Sequence, residues 1–184
     1  MLEIVAIVAA VLAIAIVIVL ILASTKPATF SVRRSAMVQA PAEAIFPLIN
    51  DFHQWAKWSP WENRDPAMKR DYSGVESGKG AIYAWEGNKN VGSGRMEILD
   101  ASSPSKITIK LDFFKPFEGH NTAEFTFVPE RDAAATNVIW VMQGPSSFMS
   151  KVMQVFMNLD KMIGRDFETG LANLKRLTEK QANA

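Results

Sequence analysis

Residues 147–180, SFMSKVMQVFMNLDKMIGRDFETGLANLKRLTEK, decide the architecture. Phe148, Val152, Val155, Phe156, Leu159, Met162, Ile163, Phe167, Leu171, Leu174 and Leu177 recur at spacings of three and four. At ~100° per residue they fill an arc of roughly 180°, and Lys151, Gln154, Asn158, Lys161, Arg165, Arg176 and Glu179 take the other side. The periodicity predicts one amphipathic helix from about Ser147 to Lys180, N-capped by Ser146 or Ser147 after Pro145. A helix of that length with one apolar face needs an apolar surface to lie on.

The segments upstream supply a sheet. Ile107, Ile109, Leu111 and Phe113 alternate with polar residues, as do Phe125 and Phe127, which is the pattern of half-buried antiparallel strands. Turn-like breaks at Ser73-Gly74, Gly87-Asn88, Ser103-Pro104, Lys115-Pro116 and Pro129-Glu130 delimit strands over 69–73, 80–87, 92–100, 106–114, 119–128 and 136–143. Further back, Phe30, Val32, Ala36 and Val38 alternate in a first strand that ends at Pro41. A short helix then carries Ile45, Phe46 and Ile49, and a second short helix or turn carries Phe52, Trp55 and Trp58. The sum is an α+β arrangement, a curved antiparallel sheet of about seven strands wrapped around the last helix.

The N-terminus is of another kind. All 20 residues from Ile4 to Ala23 are apolar, and 22 consecutive uncharged residues separate Glu3 from Lys26. At ~1.5 Å per residue a helix of this length crosses a hydrocarbon core of roughly 30 Å. The basic n-region and small-x-small cleavage site of a secretory signal are missing, so a retained anchor is expected. Residues 1–26 are read as one transmembrane helix and residues 27–184 as the domain it carries. Lys26, Arg33 and Arg34 follow the span, which by the positive-inside rule puts the domain in the cytoplasm.

Composition narrows the function. The 184 residues carry a net charge of +1 and no cysteine, and the part after Ala23 is about 42% hydrophobic, as in a globular domain with its own core. Disorder, repeat architectures and disulfide scaffolds are excluded, and the near-neutral balance gives no footprint for nucleic acid. His53 and His120 lack ligand spacing, so no metal is expected. Gly92-Ser93-Gly94 precedes a strand rather than a helix, so it reads as a turn and not a phosphate loop. No cofactor is implied.

Three pieces carry a family resemblance: Ala40-Pro41-Ala42-Glu43-Ala44-Ile45-Phe46; Trp55-Ala56-Lys57-Trp58-Ser59-Pro60-Trp61-Glu62 with Asp65-Pro66; and Asp166-Phe167-Glu168-Thr169-Gly170-Leu171-Ala172-Asn173-Leu174-Lys175. With the order of elements over 29–180, they resemble the SRPBCC superfamily (START / Bet v 1-like, polyketide cyclase/dehydratase), and in particular its bacterial membrane-anchored members. The resemblance implies a helix-grip fold, a bacterial inner-membrane location, and a hydrophobic cavity between sheet and long helix that binds lipids, sterols or polyketides. A few relatives, the aromatase/cyclases, are enzymes.

Against that expectation the candidate residues can be weighed. Trp55, Trp58 and Trp61 read either as packing of the connection against the sheet, as a cavity wall, or as an interfacial membrane anchor. Tyr83, Trp85, Phe113, Trp140 and Met142 on strands, with Phe167 and Gly170 on the last helix, are the expected cavity lining. Asp166 falls at about 0° and Gly170 at about 40° on the wheel, near the middle of the apolar arc, where a carboxylate needs a partner or a wet cavity. Asp166, Tyr83 and His120 are therefore the candidate acid/base groups of an enzyme, provided at least two of them converge. Met149, Met153 and Met157, at spacing four, edge the arc and suit a core margin, a cavity mouth or a membrane-facing rim. The expected function is membrane-tethered binding of a hydrophobic small molecule or lipid. The alternatives are a cyclase/dehydratase-like enzyme, or a protein-interaction module with a vestigial cavity and exposed indoles.

Overall fold

The computed structural model describes residues 1–130 and 134–182. Helix α1 (Leu2–Ser24) is followed by β1 (Thr29–Val38), α2 (Ala42–Asn50) and a short 3₁₀ helix (Phe52–Lys57). Six strands come next: β2 (Lys69–Gly74), β3 (Ala81–Glu86), β4 (Ser93–Ser102), β5 (Lys106–Lys115), β6 (Gly119–Pro129) and β7 (Thr136–Pro145). The chain closes with α3 (Phe148–Phe156) and α4 (Leu159–Ala182). The strands form one antiparallel sheet in the order β1-β7-β6-β5-β4-β3-β2. β2 to β7 follow one another as hairpins, while α2 and the Trp-rich connection carry the chain from β1 at one edge to β2 at the other. This is the helix-grip arrangement, with α4 as the gripped element.

Alternation along the strands builds the inner face. Ile107, Ile109 and Leu111 of β5, Ala123, Phe125 and Phe127 of β6, and Val138, Trp140 and Met142 of β7 are all buried. The register sets Ile107, Phe125, Trp140 and Arg34 side by side in one row across four strands. α4 crosses this row. It buries Phe167, Leu171, Leu174 and Thr178, and the Phe167 ring stacks on Trp140 with centroids 3.9 Å apart and planes 4° from parallel. Gly170 makes the approach possible, because a Cβ there would lie 3.0 Å from the Trp140 ring and 3.2 Å from Pro60.

A second device aligns α4 with the edge strand. Arg34 occupies an inward position of β1, donating from Nε to Glu168 (2.7 Å) and from Nη1 to Asp160 (3.0 Å). Asp160, Gly164 and Glu168 lie one turn apart on α4, and a Cβ on Gly164 would collide with the guanidinium. The arginine passes through the gap and is held from both sides.

The predicted single C-terminal helix is in fact two. Met157 is extended (φ −133°, ψ 142°) and ends α3, and Asn158 caps α4 by accepting the Lys161 N–H at 2.9 Å. The 3, 4 spacing runs through the break because the two helices keep similar phase, so hydrophobic periodicity does not register it. The cap residue did carry the signal, although in a continuous helix Asn158 reads as polar surface. The break also moves Asp166. With α3 removed from the wheel, the buried arc of α4 centres on Phe167 and Leu174, and Asp166 lies about 100° away at its margin.

Truncation of Phe167 to alanine is expected to destabilise the domain by about 3–5 kcal/mol through the cavity left against Trp140. Urea unfolding of the detergent-solubilised chain, followed by tryptophan fluorescence, measures it.

Candidate functional site

The Trp-rich connection is an organising loop. Trp55 and Trp58 are buried, and their indole N–H groups donate to Ile49 O and Leu48 O, both at 2.9 Å. These carbonyls belong to the last turn of α2, which has no helical donor for them, so the two indoles cap that helix from the side. The Trp58 carbonyl accepts from Asn173 Nδ2 (3.1 Å), tying the loop to α4. Trp58 also meets Phe125 and Trp140 edge-on, and Trp61 meets Trp140 and Phe167 in the same way.

The residues expected to line a cavity between the sheet and α4 therefore occupy that space. Trp58, Trp61, Trp140 and Phe167, with Phe125, form one aromatic cluster, and Gly170 makes room for Trp140 rather than for solvent. Trp55 sits behind Trp58 (centroids 4.8 Å apart). Met142 lies two residues along β7 and is buried. Trp85 and Phe113 pack edge to face toward the β2 side of the sheet, where both are only half-buried. One polar atom inside the cluster is unanswered, because the Trp140 indole N–H is buried without a hydrogen-bond partner. A buried donor left unpaired costs about 1–3 kcal/mol.

A buried polar network stands next to this cluster. Glu62, closing the Trp motif, is buried and accepts the Tyr83 hydroxyl at 2.6 Å and Arg70 Nε at 2.8 Å. Burial, and then the bond to Glu62, push the Tyr83 phenol well above its ordinary pKa, so it remains a neutral donor. Arg70 also donates to Met68 O. Asp65, four residues after Trp61, accepts the backbone N–H groups of Ala67 and Asn88 and fixes the loop to the β3–β4 turn.

The three candidate acid/base residues do not meet. Tyr83, Met96, Leu111 and Asn121 share one inward row. His120 is adjacent to Asn121 and so points from the opposite face, where its Nδ1 pairs with Asp112 at 2.8 Å. Asp166 is at the rim of the grip in an ion pair with Arg64. Its partner resolves the off-pattern carboxylate, and the convergence an enzyme of these three would need is not present. Glu62, Arg70, Arg64 and Arg34 were not singled out from the sequence. Arg34 could have been, since it interrupts the inward series Phe30, Val32, Ala36, Val38 with a charge.

A groove of about 550 Å³ opens at the end of the sheet where α1 joins the domain. Its lining is mixed: Phe30 and Val32 of β1, Val155 and Phe156 of α3, and Met157 and Leu159 at the α3–α4 break are apolar, while Lys26, Thr29, Ser31, Gln154, Asn158 and Asp160 are polar. Phe30 and Val32 belong to the inward series of β1, so the groove adjoins the gripped face of the sheet.

Residues 29–179 match the sequence model of the family described as polyketide cyclase / dehydrase and lipid transport. The chain belongs to this family. No curated protein matches it. Among solved structures, a Thermobifida fusca protein solved in solution is 20% identical with a TM-score of 0.61, covering 82% of this chain and 93% of its own. A Staphylococcus aureus protein of unknown function is 12% identical with a TM-score of 0.61, covering 85% of this chain and 97% of its own. The di-domain ARO/CYC BexL of the BE-7585A biosynthetic pathway is 13% identical with a TM-score of 0.57, the match covering 84% of this chain and 52% of BexL. These likenesses establish the SRPBCC-type helix-grip fold, in which the sheet faces the long helix across an interval. In this member of the family that interval is largely taken up by tryptophans.

Two outcomes are expected at the polar groups. Tyr83→Phe removes a donor from buried Glu62 and is expected to cost about 1–3 kcal/mol in urea unfolding. The hydrogen bond that His120 donates to Asp112 raises the His120 pKa. Burial opposes ionisation of Asp112, but hydrogen bonds from His120 and Lys110 outweigh it and lower its pKa. The charged pair thus stabilises the fold at pH values below the ordinary histidine pKa, and this is lost as pH rises through the raised folded-state value. On the acid side it is lost as Asp112 is protonated. The melting-temperature difference between the parent chain and His120→Gln is expected to be largest between these limits and to shrink as pH is raised.

Proposed function

We propose that this chain is a membrane-tethered binding protein for a hydrophobic small molecule or lipid, in which residues 1–26 anchor residues 27–184 to a bilayer. The observation that carries the reading is the position of the groove. It is lined by Lys26 and Pro27 as well as by Phe30 and Val32, so it lies beside the point where the tether enters the domain. α1 is long and apolar enough to cross a membrane (mean hydropathy 3.6 over its apolar window), and apart from Val19 and Ala23 its residues are exposed, as in a helix that meets lipid rather than a protein core. The family's description includes lipid transport, which supports this reading.

The binding mode follows from the chemistry of the walls. Phe30, Val32, Val155 and Leu159 take the apolar body of the ligand by removing it from water. Ser31, Gln154 and Asn158, which also line the groove, would supply hydrogen-bonding groups for a carbonyl, ester or hydroxyl oxygen. Lys26 and Asp160 at the border would meet a polar head. Asp166, Tyr83 and His120 are each engaged by a different partner, Arg64, Glu62 and Asp112, so the cyclase reading draws no support from them. An interaction surface of exposed indoles has none either, since Trp55, Trp58 and Trp140 are buried. Lys26, Arg33 and Arg34 favour a cytoplasmic domain in a bacterial inner membrane.

The reading predicts that native mass spectrometry of the detergent-extracted chain finds a copurified apolar molecule. It also predicts that cis-parinaric acid binds with transfer from tryptophan emission. Val155→Trp, which fills the groove from a half-buried position, is expected to weaken parinaric acid binding ~10-fold or more, equivalent to about 1.4 kcal/mol. Unchanged affinity in the folded variant would place the ligand elsewhere. Protease digestion in oriented vesicles tests the side of the membrane.

A further inference from the structure

We infer that the domain does not hang free on its tether: the end carrying α3 and the β5–β6 turn is seated in the bilayer surface, with α3 as an interfacial helix. The inference rests on the reading of α1 as a membrane span and adds to it a docked orientation.

α3 packs along α1. On the last turns of α1 the less exposed residues are Val19, Ala23 and Lys26, spaced by four and three, and Ala23 is fully buried. These three form one face, and α3 covers it. Val19 and Ala23 are part of the apolar run, so a helix packed on them lies at the depth where that run leaves the hydrocarbon.

α3 has the build for that depth. None of its residues is buried against the domain. At ~100° per residue, Val155, Phe148, Val152, Phe156, Met149 and Met153 occupy one arc of roughly 160°, with Ser150, Gln154 and Lys151 opposite. Phe148, Met149 and Phe156 remain 57%, 51% and 70% exposed, which in water would be an uncompensated apolar patch. The arc covers more than α1 can occupy, and the remainder is continuous with the lipid-facing surface of α1. Lys26 at the foot of α1 and Lys151 on the polar side of α3 supply cations suited to phosphate headgroups.

An independent observation comes from the other side of the sheet. The exposed phenylalanines among the described residues are Phe114, Phe117, Phe148 and Phe156. Phe114 and Phe117 lie at and just beyond the end of β5, before Gly119 opens β6. Thr122 pairs with Gln143, so the Gly119 end of the sheet is also the Pro145 end, where α1 and α3 are attached. All four exposed phenylalanines are therefore at one end of the domain. The bilayer that α1 enters is the partner this distribution fits, and it would put the mouth of the groove at the membrane surface.

The absence of cysteine allows the test to be done on the full chain. Nitroxide labels are attached at Met149→Cys, Phe156→Cys and Phe117→Cys, with Ile14→Cys in the middle of α1 and Ser103→Cys in the β4–β5 turn, at the far end of the sheet, as references. Each is exposed, so labelling leaves the core intact, and circular dichroism confirms the fold. In vesicles of phosphatidylethanolamine and phosphatidylglycerol, the ratio of oxygen to nickel-chelate collision rates reports depth. The expected result is a severalfold higher ratio at 149, 156 and 117 than at 103, below that at 14. An aqueous ratio at 156 or 117, with 14 in lipid, overturns the docked orientation while leaving the anchor intact. Low collision rates with both reagents at 149 and 156 would mean a second protein surface covers α3, which also overturns it. An aqueous ratio at 14 removes the span itself, and the docking with it.

Discussion

The contact on which the domain depends is the stack of Phe167 on Trp140. Here α4 meets the sheet ring on ring, with centroids 3.9 Å apart, and the surrounding pieces are arranged to permit it. Gly170 removes the side chain that would hold α4 off the indole, and Gly164 lets Arg34 pass beneath the helix to reach Asp160 and Glu168. Trp58 and Trp61 close the stack from the edge. Because close-packed rings have few alternative arrangements, this contact fixes the distance, rotation and register of α4 together. What remains free for a ligand is then displaced toward the open end of the grip.

That displacement links the core to the end of the domain where α1 is attached. A longer continuous helix would have carried its apolar face past the end of the sheet with nothing to cover it. The break at Met157 and the cap at Asn158 turn the preceding residues into α3, which lies against α1 instead. The groove exists because the chain breaks there: Met157 and Leu159 flank it, with Phe30 and Val32 on its other wall. The same two residues that end one helix and begin the next thus separate a gripping element from one that packs on α1.

Much of this was legible in the sequence. The strands were found within a residue or two because alternation and turn chemistry agreed along β2 to β7, and β1 was marked by Phe30, Val32, Ala36 and Val38. The family was legible in the Trp motif and the Asp166–Lys175 segment. The site was less so. Trp58, Trp140 and Phe167 were expected to line a cavity, but whether large rings line a space or fill it depends on how near the helix comes. Sequence spacing does not contain that distance. Asp166 looked central because its angle was measured on a wheel that included α3. Glu62 was inside the quoted motif, yet its partners Tyr83 and Arg70 are brought to it only by the crossover from β1 to β2.

By itself the sequence determined the elements, their order, the apolar N-terminal run and the family, since these rest on local periodicity, capping and turn residues that act over a few positions. The tertiary structure alone decided which residues meet: that the tryptophans pack on one another and cap α2, that Asp166 and His120 face different partners, and that α3 belongs with α1. The reason is physical. Hydrogen bonds between strands and contacts between faces join residues up to 140 positions apart, as in Gln39 N–H to Glu179 Oε1, and their geometry follows from closure of the whole sheet around α4.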